Sequence, residues 1–170
     1  MTALSYEVDA TSLRAACARF PTGVIVVTAC DADGDPIGMA VNSFTSVSLD
    51  PPLVLVCAGR TSETWPAIRA AGDCVLNVLA EGQAKLALRF ACKDDDRFAS
   101  VTYSTAPSGA PLLEGAIAWL ECSLELEVPA GDHVVALAAV RRTTVGTECE
   151  PLVFHDRRYG GFRAHEGALR

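Results

Sequence analysis

The most unusual polar residues in the sequence follow an apolar segment near residue 40. Residues 38–52, GMAVNSFTSVSLDPP, carry Asn42, three serines and Thr45 where a strand of a β-barrel should end. Asn and Ser are unfavourable inside strands, but at the mouth of a barrel their amide and hydroxyl groups can contact a ligand. No charged residue lies between Gly38 and Asp50. Taken alone, such a segment is more often an ordinary hydrogen-bonded turn and loop; the functional interpretation is a cradle for a flat, polar ring system.

A second polar segment, residues 59–64 (GRTSET), lies between a predicted strand and a predicted helix. Free backbone N–H groups at a helix start, together with hydroxyl groups, can bind a phosphate. An ordinary helix cap is the alternative.

Three further positions could contact a ligand. Arg89 and Phe90 place a cation beside an aromatic ring at a predicted helix end, where a capping charge over a core ring is the alternative. His133 lies in a turn between the two longest predicted strands and could hydrogen-bond the edge of a ligand. Tyr159 follows residues 155–158, HDRR, in a segment that a solvated hairpin with a packed tyrosine would also explain.

Other kinds of catalytic chemistry are disfavoured. The sequence has no Gly-x-Ser-x-Gly motif, and no cysteine has a histidine close to it in sequence. Its seven cysteines are all more than four residues apart, so no zinc-like pair is present. The acidic run Asp94–Asp96 is predicted to be solvated. We therefore predict no metal site, and we expect the cysteines to be small core residues in a reducing compartment.

Length and charge limit the remaining possibilities. A chain of 170 residues with half of them apolar suits one folded domain. The net charge of −7 argues against nucleic acid and against an anionic membrane surface as partners. Residues 1–19 lack the apolar centre of a signal peptide, and no apolar run approaches the ~18 residues that span a bilayer. The expectation is a cytoplasmic protein.

The elements that must position these residues are mostly strands. Continuous apolar runs predict buried strands at Val24–Thr28, Leu53–Cys57 and Cys74–Leu79. Residues 118–128 alternate with a period of two, which predicts a dry face and a wet face. The dry face is Ala118, Leu120, Cys122, Leu124, Leu126 and Val128, and the wet face is Trp119, Glu121, Ser123, Glu125 and Glu127.

The remaining segments complete an antiparallel barrel or sandwich. Strands are predicted from Pro36 to about Phe44 and at 134–140 and 151–154. Three short helices are predicted: one capped by Thr11 or Ser12, one capped by Thr61-Ser62 and running to Ala71 with Gly72 as its stop, and one over 82–91. Residues 93–97 and 104–111 are predicted loops. The strand and helix alternation of a dinucleotide-binding domain is absent.

Taken together and in this order, the motifs resemble the short-chain flavin reductases. The resemblance covers about 13–162, so nearly the whole chain forms one flavin reductase domain. It rests on FPTGV at 20–24, NSFTSVSLDPPLV at 42–54, Phe90-Ala91, the Gly-Asp-His turn at 131–133, Pro151-Leu152 and Tyr159.

The resemblance implies a mainly β fold, the FMN-binding split β-barrel, with a few short helices. It also implies a homodimer with flavin near the subunit interface. The implied reaction is hydride transfer from NADH or NADPH to FMN or FAD, after which the reduced flavin leaves for a partner flavin-dependent monooxygenase. Hydride passes directly between the two cofactors, so no catalytic acid or base is expected.

The resemblance also implies positions for the cofactors. The flavin ring and ribityl chain would contact Met39, Ala40, Val41, Asn42, Ser43, Phe44, Ser46, Val47 and Ser48. The flavin phosphate would lie near Cys57, Ala58, Gly59, Ser62 and Thr64, and Arg89, Phe90 and Ala91 would close that end. His133 and Tyr159 would face the nicotinamide, with His133 positioning it. Ala40 departs from the threonine that is frequent in the family, and Arg157-Arg158 lies outside the pattern.

Three alternatives stay open at this point. A non-catalytic flavin-binding split barrel would share the ring cradle but lack a nicotinamide site. An enzyme like pyridoxamine-phosphate oxidase would need a more basic phosphate pocket, and Lys85 and Lys93 are the only lysines. A purely structural barrel would leave the Asn- and Ser-rich mouth unexplained. The choices between FMN and FAD and between NADH and NADPH also stay open.

Overall fold

The computed structural model describes residues 8–93, 96–146 and 148–165; most of the polar lead-in at 1–10, and Asp94 and Asp95, lie outside these ranges. Within them the chain is mainly β with short helices, as predicted. The helices are α1 Ala10–Cys17, α2 Trp65–Ala71 and α3 Ala84–Ala91, with a 3-10 turn at Glu81–Gln83. The strands are β1 Thr22–Gly23, β2 Ile25–Cys30, β3 Pro36–Val41, β4 Thr45–Leu49, β5 Pro52–Gly59, β6 Asp73–Val78, β7 Tyr103–Thr105, β8 Pro111–Leu113, β9 Ala118–Ala130, β10 His133–Val145, β11 Leu152–His155 and β12 Arg158–Gly161.

The main sheet is antiparallel and has seven strands in the order β3-β2-β6-β9-β10-β5-β4. It is not closed, since β3 and β4 are its edges, although the chain runs directly from one to the other through residues 42–44. A smaller sheet, β1-β11-β12, and the hairpin β7-β8 complete the fold.

Two hydrophobic clusters form the core on either side of β2. Ile25, Val27 and Ala29 belong to the larger cluster, which also contains Trp65 of α2. The alternate residues of the same segment belong to the second cluster, under α3 and β11. A strand buried on both faces reads as a continuous apolar run. This confirms the buried strand predicted at Val24–Thr28.

The only buried polar side chains among the described residues are Thr28 and Asn77, and they satisfy each other. The Asn77 amide donates to Thr28 Oγ1 at 2.9 Å and to the Val26 carbonyl at 3.0 Å, while its Oδ1 accepts from the Leu113 N–H at 2.8 Å. Thr28 Oγ1 donates to the Pro111 carbonyl at 2.6 Å. The network therefore ties the β7-β8 hairpin to the main sheet.

The alternation predicted along β9 holds only for its first half. Leu137 pairs with Leu126 and the next residue, Ala138, pairs with Leu124, so Glu125 is an extra residue, a β-bulge. One extra residue exchanges the two faces for every position beyond it. The predicted dry face is therefore wrong at Leu126 and Val128, whose side chains are 54% and 48% exposed, whereas Leu120, Cys122 and Leu124 pack towards the core.

Smaller differences have local causes. The N-cap of α1 is Asp9, whose carboxylate accepts from the Ser12 N–H at 2.7 Å, rather than Thr11 or Ser12. Residues 45–49, which lie beyond the strand predicted to end at about Phe44, pair with β5 as an edge strand that the Ser-rich composition conceals. The predicted loop at 104–111 contributes to both β7 and β8.

Gly38 offers a sharp test of the packing between β3 and α3. A Cβ at this position would stand 2.9 Å from Phe90 Cε1 and 3.1 Å from the Val27 carbonyl oxygen. We expect Gly38→Ala to lower the free energy of unfolding by about 1–3 kcal/mol, because overpacking forces the ring and backbone apart. Urea denaturation measures this value.

Gly82→Ala is the matched control, since a Cβ there meets no heavy atom within 4 Å. It should stay within about 0.5 kcal/mol of the wild type. Equal stabilities for the two variants would show that Phe90 does not press on Gly38.

Candidate functional site

A cavity of about 210 Å³ lies between β3, the segment after β5 and the end of α3. Six residues predicted as cofactor contacts line it, although they come from three distant parts of the sequence. They are Met39, Gly59, Ser62, Thr64, Phe90 and Ala91. The fold thus brings together Met39 of β3, residues of the 59–64 segment, and Phe90 and Ala91 at the end of α3. Sequence reasoning missed four further lining residues, Thr61, Glu63, Lys93 and Arg97.

The 61–64 segment leads into α2, whose N-cap is Thr64, two to three residues later than the predicted cap at Thr61-Ser62. The Ser62 hydroxyl oxygen accepts from the Trp65 N–H at 3.1 Å and lies 3.7 Å from the Met39 sulfur. Gly72 ends the helix with φ +76°, as predicted for a glycine stop. Ser62 Oγ thus occupies the first free N–H of α2, and Thr61, Ser62 and Thr64 add hydroxyl groups to a cavity wall that also contains Met39 and Phe90.

Arg97 joins the three segments around the cavity. Its Nη1 donates to Thr64 Oγ1 at 2.6 Å and to the Gly38 carbonyl at 2.8 Å, and its Nε donates to the Cys92 carbonyl at 2.9 Å. The prediction that 93–97 is only a solvated loop is therefore wrong for Arg97. The aromatic residue that follows it, Phe98, is the sequence feature that could have indicated packing here. The Phe98 ring packs edge-on against Phe90, with ring centroids 5.0 Å apart.

The cavity is electrostatically mixed at its outer edge. Lys93 Nζ lies 2.7 Å from Glu63 Oε1, and this hydrogen bond lowers the pKa of the Glu63 carboxyl. Both side chains are about three-quarters exposed, so the pair contributes little stability. A neighbouring cavity of about 480 Å³, between β3 and residues 96–98, shares Glu63, Thr64, Lys93 and Arg97.

At the corner between β3 and β4, some side chains are engaged within the protein and others are accessible. Ser43 Oγ donates to the Cys57 carbonyl at 2.9 Å and accepts from the Cys57 N–H at 2.8 Å, so its hydroxyl holds the corner against β5. Val41 and Phe44 pack with the core. Ala40 is half-buried and packs with the second cluster.

Four polar side chains at this corner make no hydrogen bond within the described residues and can serve a ligand. They are Asn42, Thr45, Ser46 and Ser48. Val47 is the extra residue of a bulge in β4 and is 46% exposed. In β5, Ala58 is buried in the core, whereas Cys57 points to the opposite face.

His133 lies at the rim of the cavity. It is the first residue of β10 and pairs with Gly59, and its Nε2 lies 3.9 Å from where a Gly59 Cβ would stand. Its Nδ1 lies 2.8 Å from Asp132 Oδ1, which lowers the pKa of the Asp132 carboxyl. The side chain is 49% exposed, so its Nε2 edge is accessible.

Tyr159 and Arg89 lie apart from the cavity lining. Tyr159 packs on Phe154 with ring centroids 5.2 Å apart, and burial, with the Cys92 thiol nearby, raises the pKa of its phenol. Arg89 donates to the Ala99 carbonyl and lines a separate cavity of about 380 Å³ beside Lys85. The structure therefore does not bring Arg89 to the six converging residues.

In the described ranges, no group of three or more His, Cys, Asp or Glu side chains is arranged to hold a metal ion. No helix in that part of the chain is long and apolar enough to cross a membrane.

Comparison with known proteins matches this architecture. Residues 17–163 match the family model described as flavin reductase like domain. A flavin reductase of Pseudomonas putida is 45% identical over 157 residues, which is 92% of each chain. The reductase subunit HsaB of a Rhodococcus jostii flavin-dependent monooxygenase is 41% identical over 154 residues, 91% of this chain and 78% of that one.

Solved structures agree with the sequence comparison. The NADH:FAD oxidoreductase SgcE6 of Streptomyces globisporus C-1027, in complex with NAD and FAD fragments, superposes with a TM-score of 0.86 at 39% identity, covering 95% of this chain and 96% of that chain. The open, mainly antiparallel sheet with short helices is thus the split barrel that the resemblance implies. The chain belongs to the flavin reductase family.

Proposed function

We propose that this protein is an NAD(P)H-dependent flavin reductase that supplies reduced flavin to a partner monooxygenase. The observation that carries the proposal is the convergence of residues from three segments on one cavity, with His133 at its rim. The similarity to SgcE6, named an NADH:FAD oxidoreductase, supports the reaction. The similarity to HsaB, named the reductase subunit of a monooxygenase, supports the partner.

The residues present fit a flavin. Met39 and Phe90 offer apolar surface, and Ser62 and Thr64 offer neutral oxygen atoms, which suits an uncharged polar ring and its chain. Arg97 Nη2 has no hydrogen bond among the described residues and lies beside these hydroxyls, which suits a phosphate. The cavity holds only part of FMN or FAD, so the rest would lie over the free polar groups of the 42–48 corner.

The protein contributes binding and orientation rather than proton transfer. Hydride transfer is chemistry that the reduced nicotinamide and the flavin supply between themselves. Phe90 and Met39 exclude water from one side of the site, and the Arg97 bonds to Gly38 and Thr64 keep its walls at a fixed separation. His133, anchored by Asp132, can orient a nicotinamide amide through its exposed Nε2.

We also propose that the protein forms a homodimer through the outer face of β9, β10, β5 and β4. In β5, Val54, Val56 and Ala58 face the core, yet the alternate positions are apolar too. A strand that is apolar on both faces needs cover on both. The outward apolar side chains are Leu53, Leu55, Cys57, Leu126, Val128, Val135, Leu137 and Ala139.

A second copy of the chain is the occupant that fits this outer face. Its apolar side chains run continuously across three strands, β5, β10 and β9, and neighbouring positions pair in register, as Leu55, Leu137 and Leu126 do. It ends at Gly59 and His133, so a dimer would place the partner subunit beside the cavity rim. This agrees with the flavin position near the interface that the family resemblance implies.

The reaction itself has a direct test. We expect the purified protein to lose nicotinamide absorbance with NADH or NADPH only when FMN or FAD is added. Thr64→Val, which removes a cavity hydroxyl, should raise the flavin KM by about 3- to 10-fold, the range for one lost hydrogen bond. Thr105→Val, on an exposed strand, is the control and should leave it unchanged. If no flavin-dependent oxidation is seen, the non-catalytic flavin-binding module becomes the better interpretation.

His133→Ala tests the nicotinamide side separately. Because Nε2 lies at the rim and not in the cavity, we expect the KM for NAD(P)H to rise, or hydride transfer to slow, by about 3- to 100-fold. Flavin affinity should change much less. Stopped-flow reduction of flavin measures both, and His155→Ala, at an exposed strand end, is the control. Loss of flavin binding with normal nicotinamide kinetics would place His133 on the flavin side instead.

A further inference from the structure

Glu127 does not occupy the position that its sequence pattern predicts. Alternation places it on the wet face of β9 with Glu125, but the bulge at Glu125 turns it inward, opposite the buried Ala136. Its side chain is only 21% exposed, against 45% for Glu125. An inward carboxylate needs hydrogen-bonding partners to offset its desolvation.

The partners of Glu127 lie on α2. Its Oε1 accepts from the indole Nε1–H of Trp65 at 2.6 Å, and its Oε2 lies 3.4 Å from the Arg69 guanidinium. Trp65 is 5% exposed, and its backbone N–H donates to Ser62 Oγ. Ser62 in turn contacts Met39 in the cavity. A continuous chain of contacts therefore runs from β9 to the cavity lining.

We propose that Glu127 is a positioning residue: by holding the Trp65 indole it fixes where α2 begins and so places Ser62 and Thr64 in the cavity. It touches neither cofactor. The inference rests on the proposed binding of flavin in this cavity. It goes beyond it by assigning a role to a residue remote from the flavin.

The physical need for such an anchor comes from α2 itself. A helix of seven residues has little stability of its own, and the side chain of its N-cap residue, Thr64, makes no capping bond. The one local side-chain bond at its start joins the Trp65 N–H to Ser62 Oγ, so contacts that fix Trp65 also fix Ser62. A buried indole N–H without an acceptor would favour rotation of the ring towards water, and the attached Ser62 would move with it.

The experiment compares Glu127→Leu, Glu127→Gln and the matched control Glu125→Leu. Glu125 lies on the same strand and is paired with Arg141 at 2.9 Å, but it faces away from α2. The readouts are KM for flavin, KM for NADH, kcat and the indole N–H signal of Trp65 by NMR. The sequence has two tryptophans, and a Trp119→Phe background leaves Trp65 as the single indole.

We expect Glu127→Leu to raise the flavin KM by about 5- to 10-fold, with kcat and the NADH KM within about twofold and a shifted Trp65 indole signal. Glu127→Gln keeps an acceptor oxygen and should stay within about twofold, as should Glu125→Leu. Trp65→Phe should reproduce the effect on flavin, and adding Glu127→Leu to it should cost nothing further.

The contrary outcomes are distinct. If Thr64→Val raises the flavin KM but Glu127→Leu does not, the positioning role is wrong while the flavin site stands. If neither variant changes it, flavin does not bind in this cavity and both proposals fall. A uniform loss of kcat and of both affinities, or a Glu127→Gln variant as impaired as Glu127→Leu, would show a general structural or charge effect and overturn the positioning role.

Discussion

A single extra residue in β9, Glu125, determines which side chains of that strand point to the core and which point outward. Before Glu125 the strand sends Leu120, Cys122 and Leu124 towards the core; after it, Leu126 and Val128 point outward. The bulge residues are themselves paired, because Arg141, the extra residue of β10, binds Glu125. A strand with strict alternation would bury Leu126 and leave Glu127 in water, and both the outer apolar face and the anchor of α2 would be lost.

The shape of the cavity is held by short contacts between separate segments of the chain. Three separate segments approach closely there: Gly38 of β3 lies next to the Phe90 ring, Ser62 lies 3.7 Å from the Met39 sulfur, and Arg97 bonds to both Gly38 and Thr64. Each wall belongs to a different part of the main sheet or to a helix packed on it. A flavin reductase needs such a preformed cradle, since the hydride must pass between two ligands whose relative orientation the protein alone controls.

Much of the fold was predictable because the signals are local. The β-branched run at 24–28 and the glycine stop at Gly72 depend only on neighbours in sequence, and both predictions are confirmed. The segments that converge on the cavity were predictable only from their order along the chain, because their members contact residues 20 or more positions away.

The missed features have physical reasons. A bulge adds one residue without changing composition, so periodicity could not place Leu126 or Glu127. Arg97 stands in a charged run that is typical of a solvated loop, and only its tertiary bonds to Gly38 and Thr64 distinguish it. Arg89 is adjacent to Phe90 in sequence, but its side chain donates to the Ala99 carbonyl and does not line the cavity. The homodimer and the roles of the cofactor contacts remain proposals.

The most direct measurement is the oligomeric state of Leu126→Asp beside Leu124→Asp, by sedimentation equilibrium and circular dichroism. Because the bulge at Glu125 turns Leu126 onto the proposed dimer face, the wild type should be a dimer. Leu126→Asp should then be a folded monomer with a cooperative melting transition, because Leu126 lies on the outer face, whereas Leu124→Asp should unfold. A Leu126→Asp variant that unfolds as Leu124→Asp does, or that stays dimeric, would contradict the account.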